Sequence, residues 1–444
     1  MDKLILVTGA TGYIASRLVP RLLEHGYRVR CLAREPRRLI GRSWFPYVKV
    51  TQADVLTPPT LAQALDGVHT AYYLIHNMTY GRGYITRELE GAHAFASAAE
   101  EAGVEHIIYL GGLADPEQHI APHMRSRIET GRVLREGNVP VTEFRAGVIT
   151  GSGSISFEMI RFMTELFPIV PGPTWMKNKS QPTAIQNVID YLFAALENPN
   201  GRGGIFEIGG PDITTYGDLM LRYARIRRLE RKMILLPGIP LWFMAFGVGL
   251  MTPVPRPIAY ALIGGLANDS VVHHAEALDV FPEVNLIDFN SAANDALEKT
   301  HPLHIERMWD DGKHKTKSLK HEGFFIDHRE INIGASPENV FQAITRVMDK
   351  SNWCLEVKEP NQRIIICDKS QRAGDKWIEW RVGRTPAPNR RCGVANPTYT
   401  KLTQTIFFSP RGLPGFLYWY LLHPLHVINS RALLQKIAQQ SENQ

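Results

Sequence analysis

The sequence predicts an α/β fold in which a doubly wound parallel sheet is followed by a smaller α+β domain. Over about the first 150 residues, short apolar runs alternate with helical patterns, as they do in βαβ units. A glycine-rich turn follows the first apolar run directly. Beyond about residue 320, strand-like runs are grouped with two helical segments, which indicates a second domain.

The first domain is predicted from six apolar runs and the helical patterns between them. The predicted strands are Lys3–Thr8, Arg28–Leu32, Val48–Ala53, Thr70–Ile75, His106–Leu110 and Val141–Ile149. The predicted helices are Gly12–His25, Thr60–Leu65, Ile85–Ala102 and Pro122–Glu136, followed by Val188–Glu197 and Tyr216–Arg225 on either side of a strand at Ile205–Ile208. Because crossovers between parallel strands are right-handed, this order gives a doubly wound sheet. We expect residues 1–150 to bind the cofactor and 151–300 to form a substrate-side cap.

The second domain is expected at residues 321–444, after a Lys- and His-rich linker at 301–320. A strand is predicted at Phe324–Ile333. A helix then begins with Ser336 as N-cap and Pro337 at its first position. Further strands are predicted at Arg363–Asp368, Lys376–Val382 and Thr400–Ser409, with a final helix at about His426–Gln439.

Composition excludes several classes of protein. Hydrophobic residues make up 44% of the 444 residues and charged residues 21%, as in ordinary globular proteins. The four cysteines have no CxxC spacing, which fits a reducing cytoplasm, and Met1–Lys3 run directly into a strand, so we expect no signal peptide. No nucleic-acid motif accompanies the net charge of +6, and no histidine cluster predicts a metal site.

Two neighbouring segments leave a membrane contact open. The basic cluster Arg222–Lys232 is either a solvated face or a contact for anionic lipid. The following stretch, Met233–Pro255, contains no charged residue, and its prolines limit the uninterrupted helix to Leu241–Met251. Eleven residues are too few to cross a bilayer. This helix is therefore expected to be buried or pocket-lining, or to make an interfacial membrane contact.

The first turn reads Thr8-Gly9-Ala10-Thr11-Gly12-Tyr13-Ile14-Ala15 and predicts a pyrophosphate site. Gly9 supplies a tight turn, and Gly12 lets the phosphates approach the backbone amides at the start of a helix. The turn follows a strand and opens a helix, which is the context that a Rossmann fold requires. The second strand then leads to Arg34, Glu35 and Arg38. A guanidinium there favours the 2′-phosphate of NADP(H) over NAD(H), and Asp54-Val55 after the third strand is placed to meet adenine.

These motifs resemble the atypical or extended branch of the short-chain dehydrogenase/reductase superfamily. The resemblance covers about residues 1–300 and is carried by TGATGYIA, Arg34, the Ala102-Gly103-Val104 lead-in to HIIYLGGL, and TEFRAGVITGSG. The chain is also similar to NmrA-like proteins, which share the fold and sense dinucleotides. Active members of the superfamily use Ser, Tyr and Lys, in which Tyr exchanges a proton with the substrate.

Alignment by eye places the tyrosine and lysine positions at His123 and Arg127, the serine position at Gly111-Gly112, and an Asn or Asp position at Glu88. Two interpretations stay open. Either His123 is the acid/base and Arg127 holds the ribose, with His76 as a weaker alternative, or the site binds NADP(H) without catalysis. The predicted catalytic residues are His123, Arg127 and Glu88, and the predicted cofactor-binding residues are Gly9, Thr11, Gly12, Tyr13, Ile14, Arg34, Arg38, Asp54, Val55, Gly111 and Arg127.

Residues 321–444 resemble the helix-grip fold of START-like proteins, and the tract Phe407–Tyr420 is similar to a bacterial domain of unknown function often fused behind reductase-like domains. The fused pair resembles bacterial proteins described as NAD(P)-dependent or nucleoside-diphosphate-sugar epimerases. The aromatic run Phe416–Leu422 is either core packing, a lipid-like ligand pocket or a membrane contact. The leading prediction is therefore an oxidoreductase for an apolar carbonyl or quinone-like substrate. The alternatives are a non-catalytic NADP(H) sensor or scaffold, and a lipid-like ligand carrier.

Overall fold

The structure is a computed structural model that describes residues 3–76, 83–115, 117–118, 120–252, 254, 256–305, 323–348, 353–368, 373–384 and 400–443. The chain divides into two compact units. Unit 1 comprises Met1–Thr164 and Ile169–Arg307, and unit 2 comprises Glu165–Pro168 and Met308–Gln444. Most of the predicted linker, residues 306–320, and Cys392 lie outside the described residues.

Unit 1 is an α/β structure. Its strands are β1 (Leu4–Val7), β2 (Arg28–Ala33), β3 (Lys49–Gln52), β4 (Thr70–Tyr73), β5 (His106–Gly112), β6 (Val141–Ala146), β7 (Ile149–Thr150), β8 (Ile169–Pro173), β9 (Lys179–Ser180), β10 (Thr183–Ala184), β11 (Ile205–Ile208), β12 (Thr214–Thr215) and β13 (Lys232–Leu236). The central sheet is parallel, with seven strands in the order β11-β6-β5-β4-β1-β2-β3. The predicted fold class is confirmed, with β11 as the seventh strand.

The helices of unit 1 are α1 (Tyr13–Glu24), α2 (Leu61–Leu65), α3 (Tyr84–Glu101), α4 (Pro122–Arg135), α5 (Ile155–Leu166), α6 (Ile185–Glu197), α7 (Tyr216–Ile226), α8 (Leu241–Met251), α9 (Arg256–Gly265), α10 (Glu276–Val280) and α11 (Phe289–Glu298). Short 3-10 helices occupy Pro36–Leu39, Phe45–Tyr47, Pro58–Thr60, Thr174–Lys177, Pro199–Gly201 and Pro302–His304. Within the described chain, no helix combines the length and the apolar character needed to cross a bilayer.

Both faces of the central sheet are buried, which explains why its strands are apolar throughout. In β1, Ile5 and Val7 pack in one core cluster with α1 and α6, whereas Leu6 packs in the opposite cluster with α2 and α3. Successive side chains of a strand point to opposite faces, so this division places helices on both sides of the sheet.

One predicted boundary in unit 1 is wrong. The sixth strand was expected to run to Ile149, but β6 ends at Ala146, and β7 pairs instead with β10 outside the central sheet. The chain changes direction at Gly147, where a Cβ atom would lie 2.6 Å from Ser270 Oγ. Residues 147 and 270 are far apart in the sequence, so the apolar pattern of residues 141–149 could not predict that they come close together.

Unit 2 is an antiparallel sheet packed against two helices. Its elements are β14 (Phe325–Ile333), α12 (Pro337–Met348), β15 (Cys354–Glu359), β16 (Arg363–Asp368), β17 (Gly374–Arg384), β18 (Thr400–Pro410) and α13 (Gly412–Glu442). The strand order is β14-β18-β17-β16-β15. Ser336 Oγ accepts a hydrogen bond from Asn339 N at 3.2 Å, as expected of an N-cap. The resemblance of this unit to START-like proteins stays a prediction.

The last helix begins earlier than predicted, at Gly412 rather than about His426. Pro414 lies in its first turn, where a backbone N–H has no partner within the helix, so proline is tolerated there. The helix therefore includes the aromatic run, in which Trp419 stacks on Phe408 and Phe325 with centroids 5.5 Å away in each case. Phe416 and Trp419 are buried, whereas Leu417, Tyr420 and Leu421 are exposed.

Candidate active site

The phosphate loop lies between β1 and α1 at the carboxyl edge of the central sheet. Gly9 has φ of +62°, and a Cβ there would lie 2.4 Å from the carbonyl oxygen of Leu74. Gly12 is the N-cap residue of α1, and its end of the helix has no side-chain cap among the described residues. Thr8 Oγ1 accepts from Leu74 N at 3.0 Å and ties the loop to the segment after β4. Backbone amides at a helix N-terminus with no side-chain cap suit a pyrophosphate.

Basic side chains surround the end of β2. Arg34 is exposed and Arg38 is half-buried. The Glu35 carboxylate accepts hydrogen bonds from Arg37 Nε and Nη2 at 3.2 and 2.8 Å, which lowers the pKa of Glu35 below its usual value. An acidic residue after the second strand would favour NAD(H). In this structure the Glu35 carboxylate makes its hydrogen bonds to Arg37.

Arg42 is a further basic group that sequence reasoning missed. Its Nη2 lies 3.5 Å from the carbonyl oxygen of Thr11, and its guanidinium carbon is 5.6 Å from the centroid of Trp44. It approaches the phosphate loop from a segment that carries no dinucleotide motif. Only its charge and its short distance from β2 along the chain could have indicated it.

The remaining predicted adenine contacts differ in exposure. Asp54 is half-buried after β3, and its Oδ1 accepts a hydrogen bond from Leu56 N at 3.0 Å. Val55 is buried, and Gly91 of α3 packs closely against its side chain. Val55 therefore supplies core packing with its side chain.

A cavity of about 340 Å³ extends from the phosphate loop into the cap side of unit 1. Its dinucleotide end is lined by Gly9, Gly12, Tyr13 and Ile14. Beyond this end, the polar side chains that line the cavity include His76 after β4, and His123 and Arg127 on α4. The cavity thus joins the predicted cofactor loop to two of the three predicted catalytic residues.

His76, His123 and Arg127 influence one another electrostatically. Burial, together with the nearby Arg127, lowers the pKa of His123 to about 3. Burial and the charge of Arg127 also hold the pKa of His76 well below its usual value. Near neutral pH both imidazoles are therefore uncharged and Arg127 is the cation of this group. The buried Nε of Arg127 has no hydrogen-bond partner among the described residues.

Two glycines, one of them at the predicted serine position, bring helices against these side chains. At Gly112, a Cβ would lie 2.7 Å from Met124 Cε and 3.0 Å from Arg127 Cδ. At Gly265 of α9, a Cβ would lie 2.9 Å from His123 Cε1. Gly111, the other predicted glycine, instead adjoins Glu143 Oε1, 3.1 Å from its would-be Cβ. Gly112 is the glycine that makes room for the cavity side chains.

Glu88 is not among the residues that line the cavity. It is buried on α3, and its carboxylate accepts a hydrogen bond from the Ser126 hydroxyl of α4. Its proximity to Tyr73 and Tyr109 raises the pKa values of both phenols further, in addition to the effect of burial. The geometry gives Glu88 a role in holding α3 against α4.

The far end of the cavity is apolar and rich in methionine. Its wall includes Met124, Met159, Met163, Met176, Met220 and Met244, with Val248 of α8 and Ile258, Leu262 and Ile263 on the α9 side. Methionine is flexible and polarisable, so such a wall adapts to bulky apolar shapes.

Three polar side chains of the cavity wall have partners within the protein. Ser154 Oγ donates to Ile149 O at 2.6 Å, Ser270 Oγ donates to Leu113 O at 3.0 Å, and Asp269 Oδ1 accepts from Lys179 N at 2.7 Å. This end therefore offers apolar contact to a ligand. Within the described chain, no group of three or more His, Cys, Asp or Glu side chains is placed to hold a metal ion.

Comparison with known proteins supports the fold. Residues 1–191 match the NmrA-like family. The (4-alkanoyl-5-oxo-2,5-dihydrofuran-3-yl)methyl phosphate reductase of Streptomyces griseus is 26% identical over 280 residues, which cover 59% of this chain and 85% of that protein. Photosystem II assembly factor Ycf39 of Cyanophora paradoxa is 30% identical over 143 residues, 32% of this chain, and the chain spans only 44% of its length.

Among solved structures, an NADPH-dependent quinone oxidoreductase from Escherichia coli superposes with a TM-score of 0.54 at 16% sequence identity. The superposition covers 65% of this chain and 98% of that protein. At this identity the likeness establishes a shared fold.

Proposed function

We propose that the chain is an NADP(H)-dependent oxidoreductase that reduces an apolar quinone-like or conjugated carbonyl substrate. The observation that carries the proposal is the cavity, which runs from a phosphate loop, past two neutral imidazoles and one arginine, to an apolar end. A dinucleotide and an apolar acceptor would share this one space.

The preference for NADP(H) is supported by three basic residues near the phosphate loop. Arg34 and Arg38 follow β2, and Arg42 lies beside Thr11. Glu35 is paired with Arg37, so its carboxylate is held by a guanidinium and repels a 2′-phosphate less. Arginine suits this phosphate because its planar donors bind two oxygens together.

The substrate class is supported by the protonation states in the cavity. Bound NADPH supplies a hydride, and an acceptor that takes a hydride becomes negatively charged. The anion of a simple ketone is strongly basic and needs an acid close by, whereas that of a quinone is delocalised and accepts its proton from water. His123, with a pKa of about 3, holds no extra proton to donate near neutral pH. Its neutral N–H and the Arg127 guanidinium would hydrogen-bond to the anionic oxygen.

The comparisons agree with this proposal. The Escherichia coli structure is that of a quinone oxidoreductase, and the Streptomyces griseus relative is a reductase. In the proposed reaction, NADPH, a quinone and one proton give NADP⁺ and a hydroquinone. Hydride and proton together reduce the quinone by two electrons, so the reaction is balanced.

The test is steady-state NADPH oxidation by the full chain with quinones, unsaturated aldehydes and simple ketones as acceptors. We expect quinones to have a kcat/KM at least about tenfold above that of ketones. Arg127→Ala should lower the quinone rate at least about tenfold. Arg132→Ala is the matched control, because Arg132 is exposed on the same helix and pairs with Glu129 and Glu136. Oxidation that is fastest with ketones, or equal losses in both variants, would contradict the proposal.

A second function, NADP(H) sensing without turnover, is favoured by the same low pKa of His123. With neutral imidazoles near pH 7, the site would bind a dinucleotide without an imidazolium to donate a proton. The two functions separate in one assay. A sensor would bind NADPH saturably and oxidise it with none of the acceptors.

A further inference from the structure

The outer face of α8 is apolar and exposed. Trp242, Phe243 and Phe246 are 62%, 56% and 49% exposed, and the helix has no charged or hydrogen-bonding side chain apart from the Trp242 indole. A helix that is hydrophobic all round is normally covered on every side. Large exposed apolar patches on a folded protein mark interaction sites.

The inner face of the same helix lines the cavity. Met244 and Val248 are cavity residues and lie four positions apart, on one side of α8. Ala245 is also buried. The helix therefore forms a wall one helix thick, about 10 Å, between the apolar end of the cavity and the exterior.

Elements on either side of α8 along the chain carry further exposed apolar side chains. In β13, which precedes α8 along the chain, Ile234 and Leu236 are exposed. In α9, which packs against α8, Tyr260 is exposed whereas Ile258 and Ile263 are buried. We call Ile234, Leu236, Trp242, Phe243, Phe246 and Tyr260 the outer apolar surface.

Positive charge flanks this surface in the sequence. Residues 233–255 contain no charged side chain, and the seven charged residues at 222–232 comprise six basic residues and Glu230. Among the basic residues, Arg225, Arg228 and Lys232 are exposed. On the other side of the charge-free stretch the next charged residue is Arg256. Basic residues bordering an apolar helix with Trp are the pattern of a helix that lies in the interface of an anionic bilayer.

We propose that the outer apolar surface docks on an anionic lipid bilayer, with α8 in the headgroup region, and that an apolar substrate passes from the lipid past α8 into the cavity. Docking rests on the exposed side chains and flanking charges, and only the substrate route rests on the proposed function. Since α8 has 11 residues, it lies in the interface and does not cross the bilayer.

The test is flotation of the full chain with vesicles of phosphatidylcholine alone or mixed with phosphatidylglycerol. We expect co-flotation with the mixed vesicles and weakening by salt, because the charged contribution is screened. The triple variant Trp242→Ser, Phe243→Ser, Phe246→Ser should partition into lipid at least about tenfold less. The matched control is Tyr47→Ser, Ile213→Ser, Leu303→Ser, which removes three apolar side chains of 75%, 58% and 46% exposure elsewhere in unit 1.

Two further readouts separate the outcomes. NADPH titration of the triple variant should match the wild-type chain, which shows that unit 1 is folded. Brominated lipid should quench tryptophan fluorescence in the wild-type chain, and Trp242→Phe should remove most of that quenching. Full vesicle binding by the triple variant, or a surface that instead joins two copies of the chain with no vesicle binding, would overturn the proposal. Vesicle binding without quinone reduction would remove the proposed function and the substrate route, and leave the docking.

Discussion

The two ends of the cavity in unit 1 are built in different ways. The dinucleotide end is lined by one short run, Gly9 to Ile14, which contains two glycines. The apolar end is assembled from side chains of α4, α5, α7, α8 and α9, which are spread over nearly half of unit 1. One end is specified by chain geometry and the other by bulk hydrophobic contact.

This difference explains why the dinucleotide end could be predicted from the sequence, whereas the apolar end is harder to recognise there. Backbone amides that bind a pyrophosphate require glycines at fixed spacing, because any Cβ would block the turn or the ligand. An apolar wall requires only that large side chains meet, and Met, Leu or Ile satisfy that at many positions. Substitutions should therefore act sharply at the dinucleotide end and mildly at the apolar end.

The largest effect is expected at Gly9. A Cβ in Gly9→Ala would lie 2.4 Å from the Leu74 carbonyl oxygen, at φ of +62°. We expect NADPH binding to weaken by about 3 kcal/mol, roughly a hundredfold in Kd, as measured by titration. Gly67→Ala is the matched control, because Gly67 has φ of +68° with nothing within 4 Å of its would-be Cβ. The control should lose about 1 kcal/mol of stability and keep its affinity for NADPH. Equal affinities for the two variants would contradict the backbone account.

Substitution of Arg34 tests whether this residue recognises the 2′-phosphate of NADP(H). Arg34→Ala should weaken NADPH binding about tenfold and leave NADH binding unchanged, because the proposed contact of the guanidinium is with the extra phosphate. Arg28→Ala, at the opposite end of β2, should change neither Kd. Parallel losses for NADPH and NADH would show that Arg34 does not discriminate between them.

Gly112 packs behind Met124 and Arg127, two side chains that line the cavity. In Gly112→Ala, the new Cβ would approach Met124 Cε at 2.7 Å and Arg127 Cδ at 3.0 Å, and both are flexible side-chain atoms that can move. We expect quinone reduction to fall about fivefold while NADPH binding changes little. Gly111→Ala should leave the rate unchanged, since its would-be Cβ faces Glu143. Equal rates for Gly112→Ala and the wild-type chain would show that the space at Gly112 does not affect the reaction.

A further effect, on folding rather than on binding or turnover, is a pH dependence of stability. Because the pKa of His123 falls from 6.5 to about 3 on folding, the unfolded chain binds more protons between these values. Its contribution to stability is complete above pH 6.5 and is lost as pH falls through 3. His123→Gln removes this loss, so the variant should gain stability relative to the wild-type chain as pH falls.

Urea unfolding at about pH 7 and about pH 5 measures this difference. His274→Gln is the control, because His274 is exposed. A pH slope that is the same for the wild-type chain and both variants would contradict a neutral, buried His123.

Much of the fold could be predicted from the sequence because its signals are local. The parallel strands appeared as apolar runs, and α8 was predicted at its observed bounds because prolines flank an apolar run. The start of α13 was not predicted: the sequence indicated a final helix from about His426, whereas the helix begins at Gly412, with Pro414 in its first turn, where proline is compatible with a helix.

The candidate site was predicted less completely, for a physical reason. The phosphate loop and Arg34 follow from local geometry, whereas Arg42, Gly112 and Gly265 matter only because folding brings them against Thr11, Arg127 and His123. The pKa of His123 is likewise set by burial under α9, which no local pattern reveals. The sequence placed Glu88 in the site by alignment, but the structure places it between two helices.

The most direct test of the central claim is equilibrium titration of the full chain with NADPH and NADH. The phosphate loop and the arginines near it predict saturable binding of both, with NADPH at least about tenfold tighter. No saturable binding of either dinucleotide, or tighter binding of NADH, would contradict the account.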